Sequence, residues 1–557
     1  MHRYRPGRQW LFALLLGLCG VPWIEAQSAS DTGLLQIVGE LREAAFSDKE
    51  AIVERLTQTG HSSVRSVLMA FMEDRLYFRN DNQQIVIIKP AEADATTFTL
   101  VDVLTLKDSG TAAADSLTKI GTNNRLRRVL RTTVARYGLG SFDVSIRLDA
   151  VRDMLPSLDE ENLALLRDRM AVETDDDVKR QISIALALAA VDGKDGKNGE
   201  DTQTRLAAIT TLHDSLSQDV RNKLAGLLEK SPEGAYIEGN EDLRNAAASV
   251  VQTIDNWRGF YRGIETLFFG LSLGSVLVLV AIGLAITFGV MGVINMAHGE
   301  LMMLGAYTTY MVQVAMPGHV GLSILVAIPA AFAVAALTGV LIERTIIRFL
   351  YGRPLETLLA TFGVSLILQQ LVRSVFSALN KSVETPSWMS GTLQLNEALS
   401  ITYNRLYIVV FTFVVFAAIL LVLKHTKSGL NIRAVAQNRS MARAMGIRGE
   451  WVDAMTFGLG SGIAGVAGVA LSQLTNVGPN LGQAYIIDSF MVVVFGGVGN
   501  LWGSLIGGMS MGIVNQLLEP YSGAVLAKIF VLVALILFIQ RRPRGLFPQT
   551  GRSSENS

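Results

Sequence analysis

Between Leu267 and Gln540 the chain is mostly Leu, Val, Ile, Ala, Phe and Gly, in stretches too long for a soluble core. The hydrocarbon layer of a bilayer is about 30 Å thick, which an α-helix crosses in roughly 20 residues. Stretches of that order fall near 265–288, 299–316, 321–343, 355–376, 405–423 and 453–474; a glycine-interrupted pair near 484–500 and 503–519 and a last stretch near 523–540 follow. Lipid offers no partner to a backbone N–H or C=O, so such spans must be helices. The expected fold class is all-α: a polytopic α-helical membrane domain of about nine spans over 260–545. A mainly helical extracytoplasmic domain, HEAT-like or bundled, precedes it at 27–255, and a tail follows at 546–557.

The loops between spans are unequally charged. Arg344, Arg348 and Arg353 follow the third span, Lys424, Lys427, Arg433, Arg439, Arg443 and Arg448 the fifth, and Arg541, Arg542 and Arg544 the last. Basic loops stay on the cytoplasmic side, so these three clusters are expected inside and the poorly basic loop Asn380–Asn404 outside. The first residues carry a basic patch (His2, Arg3, Arg5, Arg8), an apolar core from Trp10 to Val21 and a cleavage-like Ile24-Glu25-Ala26, read as a signal peptide at 1–26. The alternative, an uncleaved anchor, has a shorter apolar run than a span requires. A cleaved signal and a basic tail demand an odd number of crossings, which nine satisfies. Cys19, the only cysteine, lies in the signal, which leaves the mature chain no thiol chemistry. Lys+Arg and Asp+Glu both number 49, so charge gives no sign of a nucleic-acid partner.

Ahead of the spans, Leu34, Ile37, Val38 and Leu41, and again Ile182, Ala185, Leu186 and Ala189, repeat at helical spacing. Gln84–Lys89 and Phe98–Thr105 read instead as strands of a small hairpin. Arg147–Val151 is echoed by Arg205–Ile209, as stacked helical pairs would produce. Asp192–Asp201 resembles a calcium loop superficially but lacks its regular acid spacing and terminal glutamate, and reads as a solvated loop. The basic run Arg125–Arg136 reads as a solvated helix face.

Polar groups inside apolar helices are costly and often functional. Asn295, His298 and Glu300 cluster in NMAHGE, either at a bend lining a route or as caps of the next helix. Asp488 is a lone acid in YIIDSF and should be paired or face water. Gln369, Gln370, Arg373, Asn515 and Gln516 could add hydrogen bonds. Gly496, Gly497 and Gly499, in FGGVGNLWG, allow either close helix approach or unwound backbone against a solute. No phosphate-binding G-x-x-x-x-G-K-[ST] loop occurs. A basic amphipathic helix, Arg433 to Met445 ended by Gly446, suits docking on a partner; an ordinary solvated loop is the alternative.

NMAHGE at 295–300, SGLNIRAVAQN and ARAMGI within 428–447, and YIIDSFMVVVFGGVGNLWGSLIGG at 485–508 together resemble the branched-chain amino acid class of ABC transporter permeases, over roughly 260–545. The extension before the spans and the FGGVGNLWG wording further resemble the urea-transporting members of that class. The resemblance implies a non-enzymatic transport subunit without cofactors in a bacterial inner membrane, its first domain periplasmic and its C-terminus cytoplasmic. It implies a second related permease, two cytoplasmic ATPases and an extracytoplasmic solute-binding protein as partners. Gly429, Arg433, Ala434, Asn438 and Gly446 would then belong to the segment that docks on an ATPase. The expected cargo is urea or a short amide; the alternatives are a branched-chain amino acid permease and a membrane receptor with an external sensing domain.

Overall fold

The computed structural model describes residues 31, 33–89, 97–191 and 202–547. The signal, the Asp192–Asp201 segment and the tail beyond 547 lie outside the described residues. Contacts divide the chain into two units, Met1–Asn256 and Trp257–Ser557.

In the first unit, helices α1 (Phe46–Gln58) and α2 (Val64–Met72) precede five short strands, β1 (Leu76–Arg79), β2 (Ile85–Ile88), β3 (Thr97–Asp102), β4 (Asp108–Ala113) and β5 (Leu117–Lys119). The expected hairpin is there: β2 and β3 pair antiparallel with Ile87 opposite Val101. It is the middle of an antiparallel sheet ordered β4-β3-β2-β1-β5. Strand side chains alternate between faces, and β2 uses both, sending Ile85 and Ile87 into one apolar cluster and Val86 and Ile88 into another.

Helices α3 (Asn124–Leu139), α4 (Val144–Met154), α5 (Glu160–Val172), α6 (Asp176–Val191), α7 (Thr202–Thr211) and α8 (Gln218–Gly226) follow. They share a second core with Leu243, Ala247 and Ile254. The basic run on α3 is an exposed face laced by pairs such as Arg125–Glu50, Arg127–Asp74 and Arg136–Glu161.

The echoed arginines occupy matching roles. Arg147 grips the buried Glu173 with Nε and Nη2, both at 2.9 Å, and Arg205 donates to Glu238 at 2.6 Å. Burial alone would raise the Glu173 carboxyl, but Arg147, the Asp175 and Thr174 amides and Arg169 outweigh it and hold it at about 2. A carboxyl lowered by folding stabilises fully above its unfolded value and loses that stabilisation as pH falls toward the folded one. Glu173→Gln is therefore expected to lower the unfolding free energy at pH 7 by on the order of 3 kcal/mol, because it also leaves Arg147 buried without its counter-charge. The difference from wild type should narrow between pH 4.5 and pH 2. Calorimetric unfolding of the two proteins across that range tests it, and a pH-independent difference would refute it.

The second unit is helical. After α9 (Glu241–Met291) come α10 (His298–Ala315), α11 (Val320–Thr345), α12 (Pro354–Phe376), α13 (Tyr403–His425), α14 (Lys427–Gln437), α15 (Arg439–Ala444), α16 (Gly449–Ser472), α17 (Leu481–Gly496) and α18 (Leu501–Arg541). A hairpin, β6 (Thr392–Asn396) and β7 (Leu399–Thr402), lies in the loop before α13. All nine apolar stretches fall on helices, but six helices among the described residues are long and apolar enough to count as spans on that basis alone. The difference has three causes. Helix α17 has 16 residues. Helix α10 has 18 residues but carries His298, Glu300, Thr308, Thr309 and Gln313 among them, which makes it too polar. The last two stretches merge in α18, which breaks at Gly523 (φ 75°) just after Pro520.

Helix α16 is the hub, buried on nearly every side. Glycines let three neighbours reach its backbone. A Cβ on Gly460 would lie 2.6 Å from the Gly283 carbonyl of α9, one on Gly468 2.0 Å from the Met302 carbonyl of α10, and one on Gly465 2.5 Å from the Ala331 carbonyl of α11.

Candidate functional site

Helix α9 ends at Met291, and Gly292 (φ 65°) turns the chain out of it. The non-helical segment that follows returns into the helical packing and restarts as α10. Non-helical backbone survives at this depth only when its polar groups find partners. Asn295 Oδ1 accepts from the Ala297 amide at 3.0 Å, and the Met296 amide donates to Thr361 Oγ1 of α12 at 3.2 Å.

The two expectations for NMAHGE part here. Asn295 braces the bend rather than capping α10, whose first turn has no side-chain cap. Glu300 does not cap either. Its buried carboxylate turns to α12, where Oε1 accepts from Ser365 Oγ at 3.1 Å and Gln369 Nε2 at 2.7 Å. Its other oxygen, Oε2, has no hydrogen-bond partner, and neither does Asn295 Nδ2. His298 serves packing: its Nε2 meets the Val280 carbonyl at 3.1 Å, and its ring would touch any side chain placed on Gly283.

The facing surface of α12 is a polar stripe. Thr357, Thr361, Ser365 and Gln369 recur every fourth residue and are all buried, and Arg373, next in the series, bonds Asn480 Oδ1 at 2.6 Å just before α17. Residues four apart lie on one helix face, so the spacing is visible in the sequence and adds Thr357, Thr361 and Ser365 to the expected Gln369 and Arg373. Gln370, one position on, is exposed. The starts of α10 and α17 meet here glycine to glycine: a Cβ on Gly299 would lie 2.4 Å from the Gly482 carbonyl.

Asp488 is paired, with Lys528 Nζ of α18 at 2.8 Å from Oδ2. The sequence signal for that partner was a single lysine in an otherwise apolar stretch. Asn515 is buried with Oδ1 unpartnered, and Gln516 is partly exposed. The glycines of FGGVGNLWG pack backbone on backbone. A Cβ on Gly496 would stand 2.3 Å from the Gly503 carbonyl of α18, and one on Gly497 (φ 103°) 2.5 Å from that of Phe547. Gly499 (φ 78°) closes the turn against Gly289.

The expected single helix over Arg433–Met445 is instead two, α14 and α15, split at Asn438. Asn438 is extended, and its side chain accepts from the Met441 amide at 2.9 Å to cap α15. Gly446 (φ 86°) ends α15, with the Ile447 amide closing back on Ala442. Gly429 lies against the Leu423 carbonyl at the end of α13, and Arg433 donates to that same carbonyl. Both therefore anchor the segment to its own chain. Ile432, Val435 and Ala442, with Ala434 at the margin, pack on Val452 of α16 and Val290 of α9, while Leu430, Met441 and Met445 stand exposed among basic side chains.

Residues 266–539 match the model of a family described as the branched-chain amino acid transport system / permease component. The high-affinity branched-chain amino acid transport permease LivH of Salmonella typhimurium is 32% identical over 294 residues, which cover 51% of this chain and 94% of that protein. BraD of Pseudomonas aeruginosa, described in the same terms, is 31% identical over 51% of this chain and 96% of its own length. The ribose import permease RbsC of Escherichia coli is 25% identical over 49% of this chain and 85% of its own. No solved structure matches.

Proposed function

Because this chain belongs to the branched-chain amino acid transport permease family, we propose that it is the pathway-forming subunit of an ATP-driven importer whose cargo is a branched-chain amino acid. The relatives named for that cargo support this reading over urea, the cargo expected from the sequence. One observation carries it at the level of chemistry. A buried carboxylate, Glu300, keeps an oxygen without a partner where a polar stripe of α12 meets the starts of two short helices. A zwitterion needs both its charges compensated. Glu300 offers the counter-charge for an ammonium group, and helix N-termini favour a carboxylate.

On this reading the protein works in a bacterial inner membrane beside a second related permease, two cytoplasmic ATPases and an external solute-binding protein. The basic clusters at 344–353, 424–448 and 541–544 support a cytoplasmic C-terminus and a periplasmic first unit. Exposed Leu430, Met441 and Met445 supply an apolar surface for an ATPase.

Urea or a short amide remains the second reading. It is favoured by the neutral hydrogen-bonding groups of Thr361, Ser365 and Gln369 and by the first unit, which lies ahead of the family match at 266–539. Reconstitution with the partner subunits in proteoliposomes decides between them. ATP-dependent uptake of labelled leucine is expected. Uptake of urea alone would replace the first reading by the second, and uptake independent of ATP would remove both.

A further inference from the structure

Where the docking segment meets the helical bundle, four elements bring charge together in a buried place. Asp453, one turn into α16, is completely buried, and Arg439 of α15 reaches it with Nη2. The Arg439 guanidinium also lies over the ring of Tyr351, 4.8 Å from its centroid. The Tyr351 hydroxyl in turn points at Glu343 Oε1 of α11, 3.5 Å away. Burial first, and then the carboxylates of Asp453 and Glu343, push the Tyr351 phenol up, so it keeps its proton and faces Glu343 as a donor. Arg344 flanks the group, 3.7 Å from Glu343 and stacked over Trp451.

The other contacts between the segment and α16 are apolar ones, Ile432, Val435 and Ala442 against Val452, and the Arg443 side chain resting on Gly449, which forms no ion pair with Asp453. Apolar contact is non-directional and tolerates sliding. A buried ion pair does not, because separating it leaves a charge with no water to replace its partner. Beyond Asp453, α16 has little play of its own, since its glycines rest on the backbones of α9, α10 and α11. Met302 of α10, which α16 touches through Gly468, lies two residues from Glu300.

We propose that the Arg439–Asp453 pair is the strut through which the docking segment moves α16, and through α16 the start of α10 that carries Glu300. This rests on the reading of the chain as an ATP-driven permease. It assigns coupling to two residues inside the chain, behind the surface that meets the ATPase.

The test is the ratio of solute taken up to ATP hydrolysed by the reconstituted importer. Arg439→Ala and Asp453→Asn are each expected to lower that ratio at least fivefold, and Arg439→Lys, which keeps the charge, to stay within threefold of wild type. Gel filtration and thermal unfolding in detergent verify that each variant is folded. Asp453→Asn, which keeps the side-chain shape, is decisive should Arg439→Ala not accumulate. A wild-type importer that works, with ratios unchanged in Arg439→Ala and Asp453→Asn, would overturn the strut and leave the transport reading standing. A wild type with no ATP-dependent uptake would overturn the transport reading, and the strut with it.

Discussion

Replacing Glu300 by Gln is expected to cut ATP-driven leucine uptake by tenfold or more while leaving the membrane unit folded. The substituted amide still presents an oxygen to Ser365 Oγ and Gln369 Nε2, which now donate to the Glu300 carboxylate at 3.1 and 2.7 Å. The local packing therefore has no reason to change. What disappears is the negative charge on an oxygen that no group of the protein satisfies. A hydrogen bond to a charged group contributes about 1.5–3 kcal/mol, so losing its charge at the solute corresponds to roughly ten- to hundredfold. A neutral amide cargo would respond differently. Urea carries no charge and its carbonyl oxygen can accept from the Gln amide N–H that replaces the free carboxylate oxygen, so its uptake should stay within about threefold. Glu300→Ala is the harsher variant. It strands two buried donors on α12, at about 1–3 kcal/mol each, and should reduce thermal stability as well as uptake. Leucine uptake unchanged in Glu300→Gln would remove Glu300 from solute recognition and leave it as a tie between α10 and α12.

Much of this arrangement was legible in the sequence, because the features concerned are local and periodic. Apolar stretches of span length became helices, and the β-rich runs at 84–89 and 98–105 became paired strands. The rest of that sheet was hidden. Strand β5 has three residues and β4 reads DSGTAA, too short or too polar to stand out; pairing with their neighbours makes them strands. Glycine at 446 correctly ended a helix, but Asn438 was not read as a cap, so one helix was expected where there are two. What the sequence concealed most was partnership across distance. Asp488 finds Lys528, 40 residues on, and Glu300 finds Gln369, 69 residues on; the local pattern around each acid says only that a partner is needed. The Arg439–Asp453 pair was hidden differently, because Arg439 counted as one of several loop cations and Asp453 stood at the edge of an expected span.

The glycines of α16, which no local pattern marks as contacts, are expected to carry the largest structural effect. Gly468→Ala adds one methyl, yet that carbon would stand 2.0 Å from the Met302 carbonyl oxygen and 2.7 Å from the Ala306 amide nitrogen. Both obstacles are backbone atoms of α10, so no side chain can rotate away, and the two helices must separate. Inside a bilayer, helix association depends on close van der Waals packing rather than on expulsion of water, and separation forfeits contacts along the whole crossing. Overpacking a tight core typically costs 1–3 kcal/mol, and a clash with backbone should reach or exceed about 3 kcal/mol. Gly363→Ala provides the control. It lies on α12 with open space around it, and there the exchange should be neutral or should gain up to about 1 kcal/mol of helix propensity. Thermal unfolding of both variants in detergent, read by gel filtration of the surviving protein, compares them directly. A clear drop in midpoint is expected for Gly468→Ala and none for Gly363→Ala. If the two melt alike, α10 and α16 are not held at backbone distance, and the route from Asp453 to Glu300 loses its middle link.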